Sequence, residues 1–317
     1  TLQTGGLFVP GPVLTALRRQ ALEGLLQLRE ARPPPLPFQK QPLPKAVVPA
    51  RPLPGAAEEE ALRRKAGRPL LRARFETVGQ MPAGAPGLCS QLVFPLFEAL
   101  VVPEALRAQS WLEMPRLLFG AREQKARQLV QQTAGLGFKG YIAQNIAHLQ
   151  LCKGLPVYGG FGLNVTNLGA GAALLSAGCG GLTLSQELTL QQMGGLAAAL
   201  PPAGTDALCY GTLPLMATRA CPLKNVTNCA ACGKKGMLTD RKGENFAVLC
   251  SLGVRTIYNP VPLWMADRLR EMPTTFATLY FTTENAAQAQ QVLQAYAEPG
   301  TPPERFTRGL YYKGISV

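Results

Sequence analysis

The chain has 317 residues, of which 47% are apolar and only 16% charged. That balance excludes a disordered chain and leaves enough length for one large core or two moderate ones. The net charge of +13 favours polyanions or RNA as partners, although solvated surface arginines would give the same count. The surplus is uneven: residues 1–75 hold thirteen Lys/Arg against five Glu.

In chain order, the opening "LFVPGPVLTALRRQALEGLLQLREAR" spaces Leu14, Leu17, Leu22, Leu25 and Leu28 as one helical stripe, giving a helical segment over 1–32. It shows no charged start with a long apolar core, so no secretory signal is expected. Proline then becomes so dense over 33–56 that neither helix nor paired strand can persist, and this stretch reads as a basic, semi-rigid linker. "EEEALRRKAG" adds a short helix, with acids leading and bases trailing as the helix dipole prefers.

Beyond it, short apolar runs alternate with helix-length spacers. "LLRARFETV", "LVFPLFEALV", "WLEMPRLLF", "GYIAQN", "PVYGGFGLNV", "GGLTLS", "ALCYGTLPLM", "FAVLC", "TIYNPVPL" and "FATLYFTT" read as strands. "REQKARQLVQQTAGLG", "MADRLREM" and "NAAQAQQVLQAYAE" read as helices between them. The low charge fraction fits elements covered on both sides. The fold class expected for 57–317 is therefore α/β, a TIM-like (β/α) barrel, irregular where a cysteine loop is inserted. No charge occurs between Lys153 and Glu187, but Gly, Asn, Thr and Ser interrupt that run. A buried β–α–β segment suits it better than a spanning helix, so no membrane partner is expected.

Cys221, Cys229, Cys232 and Cys250 lie at spacings x7, x2 and x17 among Lys224, Lys234, Lys235, Arg241 and Lys242. Four thiolates around a C-x2-C turn suit zinc or an iron–sulfur cluster, and spacing leaves that choice open, with reduced thiols or a redox pair as the other readings. Cys89, Cys152, Cys179 and Cys209 stand singly in apolar surroundings, as core thiols do. A chain this long with scattered thiols is not a secreted disulfide scaffold, and a reducing, cytoplasmic compartment is expected. The single histidine, His148, sits on the apparent helix "NIAHLQLCKG", where a packing role outweighs a catalytic one. No HExxH, GxSxG or P-loop pattern occurs.

Strand ends and loops offer further polar candidates: Asn164 in "GLNV", Glu187 in "SQEL", Arg219 in "MATR", Asp240 and Arg241 in "TDRKG", and Asn259 in "YNPVP". The two arginines could grip phosphate or carboxylate bidentately. Tyr311 and Tyr312 could stack on bases, though core packing is the commoner use.

"YGTLPLMATRACPL", followed in order by "LTDRKGENFAVLC", "YNPVPLWMADRL", "LYFTTEN" and "FTRGLYYKG", resembles the collagenase-like peptidase family U32, and within it the C-terminal half of the long, two-part bacterial members. The likeness runs from about residue 70 to the end, and "LFVPGPVLTALRRQALEGLL" is similar to the segment preceding that half. The family's N-terminal signature, E-x-F with a following cysteine and an S-G pair, is absent. The resemblance implies a cytoplasmic bacterial protein, continuous with or partnered by an N-terminal half. It implies a 4Fe–4S cluster on Cys221, Cys229, Cys232 and Cys250, with zinc as the alternative, and oxygen-independent hydroxylation of a tRNA or rRNA base. The alternatives are a collagenase-like peptidase and a non-catalytic, zinc-stapled scaffold.

Overall fold

The computed structural model describes residues 10–31, 53–200, 204–224, 228–298 and 302–314. The chain divides into two compact units, Thr1–Lys45 and Ala46–Val317. The first contains helix α1 (Gly11–Glu30), opened by Pro12 in its first turn, where a missing N–H costs nothing. Most of the proline-rich stretch 33–56 lies outside the described residues.

The second unit opens with α2 (Ala56–Ala66), which leads with Glu58 and Glu59 and closes with Arg63, Arg64 and Lys65, stopping at left-handed Gly67. Strands β1 (Leu70–Arg74), β2 (Gln91–Pro95), β3 (Ser110–Glu113), β4 (Gly140–Ala143), β5 (Val157–Gly159), β6 (Cys179–Thr183) and β7 (Gly204–Gly211) pair in parallel and in chain order. Short helices α3 (Ala85–Leu88) and α4 (Glu104–Arg107), then α5 (Ala121–Thr133), α6 (Ala147–Leu151), α7 (Leu168–Ser176) and α8 (Leu190–Ala199), run between them. After β7 the chain leaves the barrel. It makes an antiparallel sheet from β8 (Pro214–Thr218), β9 (Lys235–Thr239), β10 (Asn245–Ser251) and β11 (Val254–Tyr258), in the order β8-β11-β10-β9. It returns through β12 (Leu263–Trp264) to β13 (Phe276–Tyr280), which lies in parallel between β7 and β1. Helix α9 (Ala286–Ala297) follows.

With β6 also paired to β7, eight parallel strands close on themselves. The fold is a TIM-like α/β barrel. The uncharged run 154–186 is β5–α7–β6, and no helix among the described residues is long and apolar enough to cross a membrane. "MADRLREM" forms 3₁₀ turns over Ala266–Glu271 with a kink at Arg268. Pro273 follows, and a residue before proline avoids the helical region, so a full helix has no room to develop. α8 and α9 both begin with capping boxes, Thr189/Gln192 and Asn285/Gln288.

Alternation along the strands sorts the core. Leu71, Ala73, Leu92, Phe94 and Leu112 face the helices in the main apolar cluster, while Val93, Trp111, Ile142 and Tyr158 fill the barrel with Leu53 packed against them. Glu59 of α2 closes the N-terminal end, accepting from Gln91 Nε2 at 2.5 Å and Lys139 Nζ at 3.1 Å. Gly211 ends β7 at φ +129°, where a Cβ would stand 2.2 Å from the Tyr280 carbonyl oxygen. That close approach lets β7 and β13 stay paired while the chain turns out into the inserted sheet. Gly211→Ala is expected to lower stability by about 2–3 kcal/mol in urea unfolding, from the positive φ and overpacking together. Gly67→Ala, at φ +62° in open space, is expected to cost clearly less.

Candidate functional site

In a parallel barrel the inward side chains at strand C-termini converge, and here the strand register gathers a polar set. β1 contributes Arg72 and Arg74, two residues apart and so on one face. Arg74 Nε donates to Glu113 Oε2 of β3 at 2.8 Å, and its Nη1 donates to Glu76 and, at 3.3 Å, to the Phe281 carbonyl. Glu113 Oε1 accepts from Gln144 Nε2 at 2.6 Å, and Gln144 Oε1 accepts from the Gly162 N–H at 2.8 Å. The Arg74 guanidinium lies 4.5 Å from the Tyr280 ring centroid, and Phe161 meets Tyr280 edge-on at 5.5 Å. Burial works against the Arg74 charge, but Glu113 and Glu76 more than restore it and hold its pKa well above the usual value.

One layer deeper, Arg72 is sandwiched between the rings of Tyr158 (4.2 Å) and Phe276 (4.3 Å). Its Nε donates to Gln91 Oε1 at 2.9 Å and its Nη1 stands 3.4 Å from Asp206 Oδ2. Asp206 accepts from Thr183 Oγ1 (2.8 Å) and Thr278 Oγ1 (2.7 Å); burial pushes its pKa up, against the pull of Arg72. The inserted sheet reaches this mouth through Tyr258, the last residue of β11, buried and with its phenol pushed up to about 12 by burial and then by Glu76.

The sequence candidates scatter around the mouth. Asn164, left-handed at φ +48°, accepts from Ser185 Oγ at 2.6 Å, and the Glu187 N–H donates to the same hydroxyl at 3.2 Å. Those two sit together on the rim after β5 and β6. Arg219 lies exposed over Phe119, 4.7 Å from its ring centroid. Asp240 Oδ1 accepts from the Lys242 and Glu244 N–H groups at 2.8 and 2.9 Å, shaping the β9–β10 turn, in which Arg241 is exposed. Asn259 ties off the neck of the insertion: its N–H donates to the Leu213 carbonyl and its Nδ2 to that of Val261, both at 2.9 Å. Tyr311 is core, donating to the Leu208 carbonyl, whereas Tyr312 is exposed and donates to Glu271 Oε2 at 2.6 Å.

His148 is buried, and its Nδ1 accepts from the N–H groups of Gln144 (3.1 Å) and Asn145 (3.2 Å). Burial pushes its pKa down to about 4, so it caps the chain after β4 as a neutral ring.

The eight cysteines fall into two kinds, all free. Cys89, Cys152, Cys179 and Cys209 are buried, and burial pushes the first three up to about 12. Cys221, Cys232 and Cys250 are half-buried and Cys229 is exposed, all in the insertion. The β9–β10 register brings Cys250 beside Lys234, whose carbonyl accepts from the Cys250 N–H at 2.7 Å, while the Lys235 N–H donates to the Cys232 carbonyl at 3.2 Å and closes the turn before β9. Asn228 Oδ1 accepts from the Ala230 and Ala231 N–H groups, shaping the turn that carries Cys229 and Cys232. Gly233 and Lys234 follow at φ +56° and +63° and turn the chain sharply back. Leu223, two residues after Cys221, packs on Gly236 of β9. Among the described residues no three Cys, His, Asp or Glu side chains stand close enough together to hold a metal ion. The fit of these thiols to a metal therefore rests on donor type and backbone placement.

No family model matches the chain, and no curated protein matches it. Among solved structures it is similar to a candidate fructose-1,6-biphosphate aldolase from Coccidioides immitis, at 10% identity and a TM-score of 0.33, over 49% of this chain and 68% of that one. A likeness at that level carries nothing about chemistry, and the barrel rests on this chain's own strand register.

The polar set inside the barrel went unread in the sequence, although "LLRARF" carries a signal: two arginines at period two within an apolar strand must share a face, and in a closed barrel the polar face points inward. Glu113→Ala is expected to lower stability by about 3–5 kcal/mol, because it leaves Arg74 buried with one carboxylate fewer. Joint replacement by Glu113→Leu and Arg74→Met should recover much of that in a double-mutant cycle. A second expectation concerns pH. The folded-state pKa of His148 is depressed from 6.5 to about 4, so its contribution is complete above 6.5 and fades as pH falls towards about 4. The loss is about 3 kcal/mol, and His148→Gln should flatten that part of the urea-midpoint profile.

Proposed function

We propose that this chain is the C-terminal half of a two-part member of the collagenase-like peptidase family U32, acting in the cytoplasm. In this reading Cys221, Cys229, Cys232 and Cys250 ligate a 4Fe–4S cluster that supports oxygen-independent hydroxylation of an RNA base. The ordered motifs from residue 210 onward support the family. The observation that carries the chemistry is the division of the thiols: four are walled into the core, and four gather in one insertion. That insertion leaves the barrel at the C-terminal end of β7, the end where barrel enzymes place their chemistry.

Backbone form adds to this. A C-x2-C turn followed by Gly233 and Lys234 in the left-handed region costs about 1–2 kcal/mol at the non-glycine residue, and a strained turn persists where its surroundings hold it. When bound, a cluster would supply electron transfer, and Cys250 of β10 with Cys221, Cys229 and Cys232 from the loop before β9 would hold it.

Charge supports the RNA side. Residues 214–260 hold seven Lys/Arg against Asp240 and Glu244, and Lys224, Lys234, Lys235, Arg241 and Lys242 make no salt bridge among the described residues. Such cations bind phosphates with release of counterions. A serine or cysteine peptidase of the histidine-base kind finds little support, since the one histidine is spent on backbone N–H groups.

The test is anaerobic purification with an absorption spectrum and iron, sulfide and zinc analysis. Broad visible absorbance with about four irons per chain is expected, and Cys229→Ser should bleach it. A colourless protein with about one zinc would sink the cluster and leave the insertion as a staple. Binding to RNA should weaken steeply with salt, and replacing Lys234 and Lys235 together by Ala should reduce the salt slope by about two.

A further inference from the structure

Arg72 is 1% exposed, yet its Nη1 and Nη2 have no hydrogen-bond partner. Asp206, 3.4 Å away, spends its oxygens on two threonine hydroxyls. A buried guanidinium with idle N–H groups is costly, so an oxygen belongs there. An unsealed cavity of about 20 Å³, room for about one water, is lined by Arg72, Arg74, Glu113, Gln144, Asp206 and Tyr280 among others. Arg74 keeps Nη2 outside its three hydrogen bonds, which use only Nε and Nη1, but unlike the Nη groups of Arg72 this atom is not an orphaned buried donor. Both guanidiniums lie on aromatic rings, which fixes the plane of each fork before anything binds.

Two guanidiniums meet three carboxylates in this set: Asp206, Glu113 and Glu76. The first two side chains are 3% and 8% exposed, whereas Glu76 is 30% exposed and lies two residues beyond Arg74, past the end of β1. The third carboxylate is thus the one that water can receive.

We propose that the barrel mouth binds a small carboxylate-bearing molecule. Its carboxylate takes the place of Glu76 on the Arg74 fork, and a water in the cavity links it to the idle Nη groups of Arg72. Glu76 turns out into solvent and acts, in the empty protein, as an internal competitor. A carboxylate replaces a carboxylate, so the charge of the buried set is unchanged. A phosphate dianion would add a negative charge beside Glu113 and Asp206, where repulsion is weakly screened. The free groups facing the cavity are N–H donors, which suits acceptor oxygens and not an ammonium group. The site stands whether or not the insertion holds a cluster.

The experiment is calorimetric titration of the full chain with acetate and benzoate at constant ionic strength, with benzylammonium and inorganic phosphate as controls. Glu76→Gln, a half-exposed change whose folding is checked by its melting curve, is expected to bind benzoate at least about tenfold more tightly than the parent, as removal of a tethered competitor requires. Adding Arg74→Lys should abolish that gain, because a point charge does not replace the fork. Equal affinity of Glu76→Gln and the parent would overturn the proposal, as would absence of carboxylate binding to both. Tighter binding of phosphate than of acetate to Glu76→Gln would overturn the assignment to carboxylates.

Discussion

The barrel is organised around two arginines that cannot leave it. Arg72 and Arg74 sit on one face of β1, and closure of eight strands turns that face onto the axis. A buried charge is tolerated only with a partner and hydrogen bonds, so the other strands must supply them. Asp206 comes from β7, Glu113 from β3 and Gln91 from β2, while Tyr158, Phe276 and Tyr280 give the guanidiniums flat apolar surfaces. Each partner fixes a register: Arg74 reaches Glu113 across β2 only when Arg74 pairs with Val93 and Val93 with Trp111. A slip of one residue would turn the arginines onto the helices. The polar interior thus serves specificity of closure as well as any ligand.

The two ends of the barrel are treated differently. At the N-terminal end Leu53, Glu59 and α2 stop the interior with packing and hydrogen bonds. At the C-terminal end the interior stays polar and the chain spends some fifty residues on the inserted sheet. That sheet is held at its neck by Asn259 and Leu213, at its side by Arg219 on Phe119, and at its tip by Arg305 on Glu244.

Strands were legible because a barrel strand is a short local run: "GYIAQN" and "FATLYFTT" announce β4 and β13 without knowledge of their neighbours. The insertion was legible for a similar reason, since four cysteines fall within thirty residues. The mouth was not, because its members come from β1, β3, β4, β7 and β13 and only closure makes them neighbours. Loop position is ambiguous for Asp240 and Asn259: polar residues at turns hydrogen-bond their own backbone as readily as a ligand, and both do so here. Asn164 and Glu187 did come together, through Ser185, a residue with no signal of its own.

Tyr258 joins the insertion to the mouth, and it limits what chemistry can occur there. Its phenol is pushed up to about 12 and that of Tyr280 well above its usual value, so both remain donors at neutral pH. His148 stays neutral with Nδ1 occupied. The groups left to accept a proton beside the two arginines are carboxylates, and of Asp206, Glu113 and Glu76 only the last meets water to any extent. After burial, the Glu76 carboxylate is the next largest influence raising the Tyr258 phenol. On β11, Tyr258 stands three residues from Arg255, the register partner of Cys250. The β10–β11 pairing carries that register from Cys250 and Arg255 to Val248 and Ile257, the residue before Tyr258. Along β11, thiol loop and barrel mouth are thus separated by three residues, although no insertion residue lines the cavity between Arg72 and Arg74.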